Sequence, residues 1–250
     1  MVTSGGHVEY VRSSSVRTAV LAAVRETARG TTDLVADLEA SESAVYEAVN
    51  DLANRGLLRD EAGEWHPTGL GVVVWDSLDR ETRIQNELTG EEEYWTRHDP
   101  SVIPPYYRRF ELLADAEVLR ASDADPHRLT RTIADRIREA DRAWILATIY
   151  HPEFAEAIAG CDDARLVLDR TVVSEVADDS GDGDGPEIPI RIGEVPFSLA
   201  VTEDSTLLSL PLREGGYDAK TELCAESDAA VKWGQDLFEH YWAAATPVPD

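Results

Sequence analysis

The chain has 250 residues, of which 43% are hydrophobic, enough to bury one large core or two modest ones. This composition excludes a chain that is disordered throughout. The longest apolar stretches, 70–75 and 143–150, are far shorter than the roughly 20 residues that span a bilayer. The first residues also lack the apolar segment of a signal peptide. We therefore expect a soluble, cytoplasmic protein with no membrane partner.

The charge balance is strongly acidic, with 49 Asp and Glu against 23 Lys and Arg and a formal net charge of −26. Lys220 and Lys232 are the only lysines, so nearly every basic residue is Arg. An acidic, lysine-poor surface is typical of proteins from salt-accumulating halophiles. At molar salt the Debye length is about 3 Å, so such a surface repels DNA phosphates only at contact. The acidity does not exclude a DNA partner, but phosphate neutralisation supplies less of the affinity.

Three helices are predicted in the first third of the chain, after a polar lead-in over residues 1–12. Ser13–Ser15 offer N-caps for the first helix, which stops at Gly30. Two threonines cap a short second helix. The third helix ends before Gly56, a residue suited to the left-handed conformation that follows a helix. The residues predicted to face inward are Val16, Ala19, Val20, Ala23 and Val24, then Leu34, Val35 and Leu38, then Val45, Ala48, Val49 and Leu52.

A hairpin and a long helix follow. Short strands at 57–60 and 64–67 are joined by a Gly-containing loop. Together with the three helices they predict a winged helix-turn-helix domain over residues 13–68. Residues 69–97 are predicted as a connecting helix, which either forms a dimer interface or docks on the C-terminal domain. Its apolar stripe is Leu70, Val73, Val74, Leu78, Ile84 and Leu88.

Residues 98–250 are predicted as an α/β domain, so that the whole chain is of the α+β class. Apolar strands at 143–150 and 164–169, with a short helix at 152–159 between them, predict a parallel pair. The other predicted elements are helices at 106–120 and 126–140, strands at 188–192, 197–201 and 206–212, an acidic solvated loop at 178–187, and a last helix carrying Ala229, Trp233, Leu237 and Tyr241 on one face.

The exposed side of the third helix is the candidate DNA-binding surface. Asn can pair with adenine through two hydrogen bonds, and Glu can accept from cytosine N4. Recognition helices enter the major groove by their N-terminal half. The alternative is a winged helix that contacts protein only. The predicted DNA-binding residues are Ser43, Tyr46, Glu47, Asn50 and Asn54, with cations from Arg17, Arg55 and Arg59.

Three segments of the sequence resemble a known family. The run SESAVYEAVNDLANRGLL, the segment HDPSVIPPYYRRFELLADAEVL and the aromatic end AVKWGQDLFEHYWAAA are similar to haloarchaeal winged-helix regulators with a methanogenesis-regulator-type effector domain. The C-terminal half is more distantly similar to the phospholipase D-like effector domain of TrmB-type regulators. The resemblance implies control of transcription, and it implies that His98 and Pro104 match family positions. It identifies no ligand.

Motifs for catalysis and metal binding are missing from the sequence. Phospholipase D-type catalysis needs an H-x-K pair, yet no histidine here is followed two residues later by Lys. There is no G-x-S-x-G, H-E-x-x-H or Walker A loop. Cys161 and Cys224 lack ligand spacing. We predict no enzymatic activity, no cofactor and no metal.

Two groups of residues are candidates for binding an effector. One follows the connecting helix. The other follows the two predicted parallel strands, whose carboxyl ends meet at one edge of a sheet, where ligands bind in open α/β folds. The alternative for each residue is an ion pair or aromatic contact that supports the fold. The first group is His98, Tyr106, Arg108 and Arg109, and the second is Tyr150, His151, Asp169 and Arg170.

These features predict a sequence-specific, DNA-binding transcriptional regulator. Its partners would be double-stranded DNA and a second copy of itself, since paired half-sites multiply a modest affinity. A small molecule or partner protein would control it through the C-terminal domain. The alternative is a winged-helix module for protein interaction that does not bind DNA.

Overall fold

The computed structural model describes residues 6–173 and 188–248. The chain divides into two compact units, Met1–Arg83 and Ile84–Asp250, termed here the N-terminal unit and the C-terminal unit. Helices and strands are both abundant, which confirms the α+β prediction. The domain limits at residues 68 and 97 stay predictions. The acidic stretch 178–187 lies outside the described residues.

The N-terminal unit combines helices with one antiparallel hairpin, in the order expected of a winged helix-turn-helix. The hairpin register joins Leu58 to Pro67 and Glu61 to Glu64. The elements are α1 His7–Arg12, α2 Ser15–Glu26, α3 Thr31–Asp37, α4 Glu42–Asn54, β1 Leu58–Glu61, β2 Glu64–Pro67 and α5 Gly69–Gly90, of which α5 continues past the boundary at Arg83.

The helix ends follow local capping chemistry. The Ser14 hydroxyl accepts a hydrogen bond from the backbone N–H of Arg17 at 3.3 Å and begins α2. Helix α3 is capped by Gly30, one residue before the predicted threonines, because the Asp33 carboxylate accepts from the Gly30 N–H at 3.3 Å. Gly56 follows α4 with φ of 73°, as predicted.

Helix α1 corrects the prediction of a polar lead-in over residues 1–12. Val11 is fully buried in the core of the N-terminal unit, and the Thr18 hydroxyl donates to its carbonyl at 3.1 Å. A six-residue helix is too short to show a periodic pattern and is stable only through packing. The sequence pattern therefore could not predict it.

The core of the N-terminal unit contains the residues predicted to face inward from the third helix. Val45, Ala48, Val49 and Leu52 are all buried, together with Leu34 and residues of α2. Within α5 the predicted stripe is only partly correct. Val74 and Leu78 join this core, one turn apart, whereas Leu70, Val73 and Leu88 are exposed. A single helix face cannot bury 73 and 74 equally, because successive residues lie about 100° apart.

The C-terminal unit is built on an eight-stranded mixed sheet with the strand order β10-β6-β5-β4-β7-β8-β9-β3. Its elements are α6 Glu92–Arg97, 3₁₀ turns at Pro100–Val102, Pro105–Tyr107 and Phe110–Leu113, β3 Glu117–Arg120, α7 Arg128–Glu139, β4 Arg142–Ala147, α8 Pro152–Ile158, β5 Asp163–Asp169, β6 Ile190–Gly193, β7 Ser198–Val201, β8 Thr206–Ser209, β9 Thr221–Ala225, α9 Asp228–Ala244 and β10 Thr246–Pro247.

The predicted parallel pair is confirmed. Strands β4 and β5 run parallel in the register Arg142 to Asp163, and α8 connects them. Strand β6 is also parallel to β5, whereas β7, β8, β9 and β3 pair in antiparallel fashion. The carboxyl ends of β4 and β5 therefore lie side by side, as the sequence indicated.

Each face of this sheet carries its own hydrophobic core. On one face, Leu199, Leu208 and Leu223 pack with Trp233 and Phe238 of α9. On the other face lie residues of α7, α8 and the alternate strand positions: Ile133, Ile137, Ile158, Ile145, Leu207 and Cys224. The period of two along each strand separates the two sets.

Two element predictions in the C-terminal unit are wrong. The helix expected at 106–120 is instead two 3₁₀ turns and strand β3, because residues 117–120 pair with the distant strand β9. Strand β8 ends at Ser209 rather than 212, ahead of Pro211. Strand β9 was not predicted, because its residues T-E-L-C-A carry little β-branched or aromatic content.

Candidate nucleic-acid interface

Helix α4 presents the predicted recognition residues to solvent. The Ser41 hydroxyl accepts from the backbone N–H of Ala44 at 3.3 Å and fixes the start of the helix. The Tyr46 side chain is 45% exposed, a large fraction for an aromatic residue outside any core. Spacings of three and four residues align the set along one face. The exposed set is Ser43, Tyr46, Glu47, Asn50 and Asn54.

A cluster centred on Tyr10, termed the Tyr10 cluster, engages two of the three predicted cations. The Tyr10 hydroxyl donates to Asp51 Oδ2 at 2.6 Å. The Arg17 guanidinium donates from Nη2 to the Tyr10 carbonyl at 2.9 Å, and its carbon lies 4.0 Å from the ring centroid. The Arg55 guanidinium carbon lies 3.4 Å from the same centroid. Both arginines therefore lie against α1 in cation–π contacts.

The sequence did not predict this cluster, because it depends on α1. The spacing of Val8 and Val11 on one side of a helix was the available signal, but six residues are too few to distinguish a helix from a loop. Arg17 and Arg55 thus have structural partners that pattern alone does not show.

The hairpin is fixed to the start of α3. Trp65 Nε1 donates to the Thr31 hydroxyl at 2.9 Å, and the backbone N–H of Trp65 donates to the Arg29 carbonyl at 2.9 Å. Its tight loop uses Ala62 and Gly63, both with positive φ. These contacts join the hairpin to α3 within the N-terminal unit.

Arg59, the third predicted cation, lies on the exposed side of β1 and pairs with Glu61. Surface pairs of this kind contribute little and exchange partners readily. The N-terminal unit has 8 Arg and 14 acidic residues, a net charge of −6, and α4 itself exposes Glu42 and Glu47. The candidate interface is therefore polar rather than basic.

His98, from the first effector group, is buried in the C-terminal unit. Its Nε2 lies 3.1 Å from Asp218 Oδ2, its Nδ1 lies 2.8 Å from the Tyr94 carbonyl oxygen, and its ring stacks on Tyr94. Burial opposes ionisation of Asp218, but hydrogen bonds from Thr221 and the Lys220 N–H, with His98 nearby, lower its pKa. The pair joins α6 to the loop before β9.

Of the other members of that group, Tyr106 lies in a 3₁₀ turn, and Arg108 and Arg109 connect this turn to the next. Tyr106 is 84% exposed. Arg108 donates from Nε to the Ile103 carbonyl at 2.8 Å, and Arg109 Nε lies 3.2 Å from Glu111 Oε1. Tyr106 and Arg109 line one cleft together with Trp233 and His240, whereas His98 and Arg108 do not line it.

The strand-end group follows the adjacent carboxyl ends of β4 and β5, and two of its members, His151 and Asp169, have local structural roles. His151 Nδ1 accepts from the Glu153 N–H at 3.3 Å and caps α8. The Asp169 carboxylate accepts from the Val195 and Thr171 N–H groups, each at 2.9 Å. Burial alone would raise the Asp169 pKa, but the hydrogen bonds from these two N–H groups lower it below its usual value. Tyr150 follows β4, and Arg170 is exposed after β5.

Two cavities adjoin these strand ends. One is a cleft lined by Thr148, Asp169 and Tyr217. The other lies between the sheet and helices α7 and α8, and contains the Glu222 carboxylate. Burial raises the Glu222 pKa to about 8, although a hydrogen bond from Ser209 opposes the rise. The sequence does not predict Glu222 as a site residue, because no local signal marks β9 as a strand or this acid as buried.

The structure holds no evident metal or membrane element in the part of the chain that it describes. No group of three or more His, Cys, Asp or Glu could hold a metal ion there. None of the helices within 6–173 and 188–248 is long and apolar enough to cross a membrane. Cys224 is buried as a free thiol and Cys161 is half-buried.

Two family models match separate parts of the chain. Residues 126–244 match the middle domain of the methanogenesis regulatory protein FilR1. Residues 6–87 match the HVO_A0261 N-terminal domain. The second match includes α1, although its sequence pattern indicates only a polar lead-in.

A curated protein matches nearly the whole chain. The methanogenesis regulatory protein FilR1 of Methanothrix harundinacea (strain 6Ac) is 24% identical over 251 residues, which cover 94% of this chain and 56% of the relative. The chain is similar in sequence to that regulatory protein. It spans about half of the relative's length. The relative is named as a regulator, which agrees with the prediction that the chain is not an enzyme.

Solved structures show only loose likeness. The archaeal chromatin protein TrmBL2, described as having a novel mode of DNA binding, has a TM-score of 0.37 at 14% identity, covering 96% of this chain and 98% of that one. The phospholipase D family member Nuc from Salmonella typhimurium has a TM-score of 0.39 at 13% identity, covering 54% and 98%. Scores this low support no inference about function.

Proposed function

We propose that this protein is an archaeal transcriptional regulator that binds double-stranded DNA through helix α4 and the β1–β2 hairpin. The observation that carries the proposal is the exposed face of α4, where Ser43, Tyr46 and Asn50 lie on the N-terminal two-thirds of the helix. Homology to a regulatory protein supports the same reading. Family matches to both parts of the chain are consistent with it.

DNA recognition would depend mainly on base contacts and DNA shape. Asn50 suits adenine, Glu47 suits the N4 amino group of cytosine, and Tyr46 offers an aromatic edge for a thymine methyl group. Arg17 and Arg55 lie on Tyr10, so fewer cations extend toward phosphates. Because each neutralised phosphate contributes about 0.9 to the salt slope, we expect a shallow slope.

The test is selection of duplexes from a random library at near-molar KCl, followed by titration of the enriched sequence. A Tyr46→Ala/Asn50→Ala double variant should lose about tenfold to a hundredfold in affinity, since one good base contact contributes about 1–3 kcal/mol. A Gln85→Ala/Asn86→Ala variant, exposed on α5, is the matched control and should bind like the wild type. Equal binding by both variants contradicts the role of α4.

A protein-interaction module is the second candidate function. The net charge of −6 on the N-terminal unit and the engagement of Arg17 and Arg55 favour it. The same selection separates the two. If no duplex is enriched at any KCl concentration, while circular dichroism shows that the protein is folded, the protein-interaction module replaces DNA binding as the proposed function.

We further propose that the regulator is a homodimer formed through α5 and adapted to high salt. Val73 is 67% exposed on α5, and Leu70 and Leu88 are also exposed. A Val73→Asp variant should shift the mass measured by light scattering from dimer to monomer, whereas Ser77→Asp, also exposed on α5, should not. A monomeric wild type at all concentrations contradicts the dimer. Unfolding midpoints that fall as KCl is removed would support the halophilic origin.

Control by a signal is the last part of the proposal. The C-terminal unit would receive it through the strand-end residues Tyr150, His151, Asp169 and Arg170, of which Asp169 lines a cleft. Replacing Arg170 by Ala should alter regulation in cells while leaving DNA affinity unchanged. Normal regulation by that variant would remove Arg170 from the effector site.

A further inference from the structure

A row of polar side chains crosses the sheet face that lies beneath α7 and α8. Ser198 of β7 pairs with Ser209 of β8, and the Ser209 hydroxyl donates to the Glu222 carboxylate of β9. The hydroxyls of Thr148 and Ser198 lie 2.6 Å apart. The neighbouring positions on this face, such as Ile145, Leu207 and Cys224, belong to a hydrophobic core. The polar row is therefore an exception within an apolar layer.

This row borders a cavity whose other walls are hydrocarbon. Ile133 and Ile137 of α7, Ile145 of β4 and Phe154 of α8 line it opposite Glu222. Its volume is about 40 Å³. A single water needs roughly 10–15 Å³ by the same measure, so the cavity accepts a molecule of about three non-hydrogen atoms.

Glu222 lacks an ionic partner. The residue is 4% exposed, and none of the Lys, Arg or His side chains in the described ranges forms an ion pair with it. Arg136 of α7, the helix that covers this face, pairs instead with Glu226 at 2.7 Å. Tyr217 is the other titratable group at the cavity, and burial raises its pKa to about 12, so the phenol stays neutral.

An unpaired buried carboxylate is costly, and it holds its proton unless a cation arrives. The cavity thus offers one acid, two serine hydroxyls, the Tyr217 phenol and an apolar wall. We propose that this cavity binds a small alkylammonium ion, with its alkyl group against α7 and α8 and its ammonium group on the Glu222 carboxylate. On binding, Glu222 releases one proton to solvent and becomes the counter-ion. Neutral molecules such as ethanol have no positive charge to pair with the Glu222 carboxylate, and carboxylates would be repelled by it.

The test is isothermal titration of the full-length protein with ethylammonium chloride at constant total chloride. Below the Glu222 pKa, binding should tighten about tenfold for each unit rise in pH, because the carboxyl must lose a proton first. When the measured binding enthalpy is plotted against the ionisation enthalpy of the buffer, the slope should correspond to the release of close to one proton at pH 6. Ethanol and acetate at the same concentrations should give no saturable heat.

Matched variants assign the binding to this carboxyl. Glu222→Gln should weaken ethylammonium binding at least tenfold and abolish its pH dependence, whereas Glu226→Gln, exposed after β9, should leave both unchanged. Ala147→Leu fills the cavity and should block binding with Glu222 intact. Full binding by Glu222→Gln, equal binding of ethanol, or no saturable ethylammonium binding to the wild type overturns the proposal.

The proposed ethylammonium site does not depend on the proposed DNA-binding function. Its role as the effector site does rest on that proposed function. Titration is done without DNA, and DNA affinity is then measured with and without saturating ethylammonium. Saturable binding with unchanged DNA affinity keeps the site and removes the effector role. Absent binding with intact DNA recognition removes the site and keeps the regulator.

Discussion

Replacing Gly71 by Ala should destabilise the N-terminal unit, although Ala favours helices. Gly71 lies in the first turn of α5, and a Cβ there would meet the carbonyl oxygen of Leu57 at 2.2 Å. Ordinary contacts with carbon lie at about 3.5–4.0 Å, so α5 or the chain entering the hairpin must shift by more than 1 Å. The same carbonyl accepts the Thr68 N–H at 3.0 Å and its hydroxyl at 3.3 Å, and a shift weakens both bonds.

The expected cost follows from these terms. Overpacking costs about 1–3 kcal/mol, a disturbed hydrogen bond about 1 kcal/mol, and the gain in helix propensity is at most about 1 kcal/mol. The net loss should be about 2 kcal/mol, or about 1 M in the urea midpoint if the slope is near 2 kcal/mol/M. Gly69→Ala is the control, since a Cβ there meets nothing within 4 Å.

The measurement is urea unfolding at near-molar KCl, with hydrogen exchange used to assign the loss to peptides of the N-terminal unit. The Gly71→Ala peptides over 56–75 should exchange faster than those of Gly69→Ala. The close approach has no energetic consequence if the two variants unfold at the same urea concentration and exchange alike.

Three further substitutions test buried groups. Leu52→Ala should cost about 2–5 kcal/mol in urea unfolding because Leu52 is fully buried, whereas Asn54→Ala, exposed on the same helix, should stay within about 0.5 kcal/mol. In the folded protein the Glu222 pKa is raised from 4.5 to about 8, so the stability that its protonated form contributes is full below pH 4.5 and is lost as the pH rises through 8. The Glu222→Gln variant should therefore not lose stability over this pH range. If the variant and the wild type have the same stability–pH curve, Glu222 is not a buried unpaired acid. The Asp218 pKa is lowered in the folded protein, so its carboxylate contributes stability above the unfolded pKa, and this stability is lost in acid. The Asp218→Asn variant should therefore lose about 1–3 kcal/mol of unfolding free energy at pH 7, because a charge-assisted hydrogen bond to His98 is lost. In acid the same substitution should change the unfolding free energy little.

The N-terminal helices were predictable because their signals are local. Ser14, Gly56 and the inward positions of α4 act within one or two turns, and the hairpin loop depends on its own Gly63. The same holds for the parallel pair of β4 and β5, whose apolar runs are distinct. The exposed face of α4 followed directly from its buried face.

What the sequence could not indicate depends on distant contacts. Strand β9 forms because β8 and β3 flank it, so nothing in T-E-L-C-A predicts a strand or its buried acid. Arg17 meets Tyr10 and Asp51, which are 7 and 34 residues away. His98 meets Asp218 across 120 residues. From residue type alone, side chains such as Arg17 and His98 are candidates for ligand binding, whereas in the folded protein they contact other residues of the chain.

The Tyr10 cluster has a consequence for how fast the protein would find DNA. Proteins with outward-facing cations gain association rates of about 10⁸–10⁹ M⁻¹s⁻¹ at low salt through long-range attraction. Here the guanidinium groups of Arg17 and Arg55 lie on one aromatic ring, and Asp51 lies 3.5 Å from Arg17. Encounter with a duplex would then be limited by orientation, at about 10⁵–10⁷ M⁻¹s⁻¹, and would vary little with added KCl. Such a protein would search by diffusion and would select its sequence by residence time.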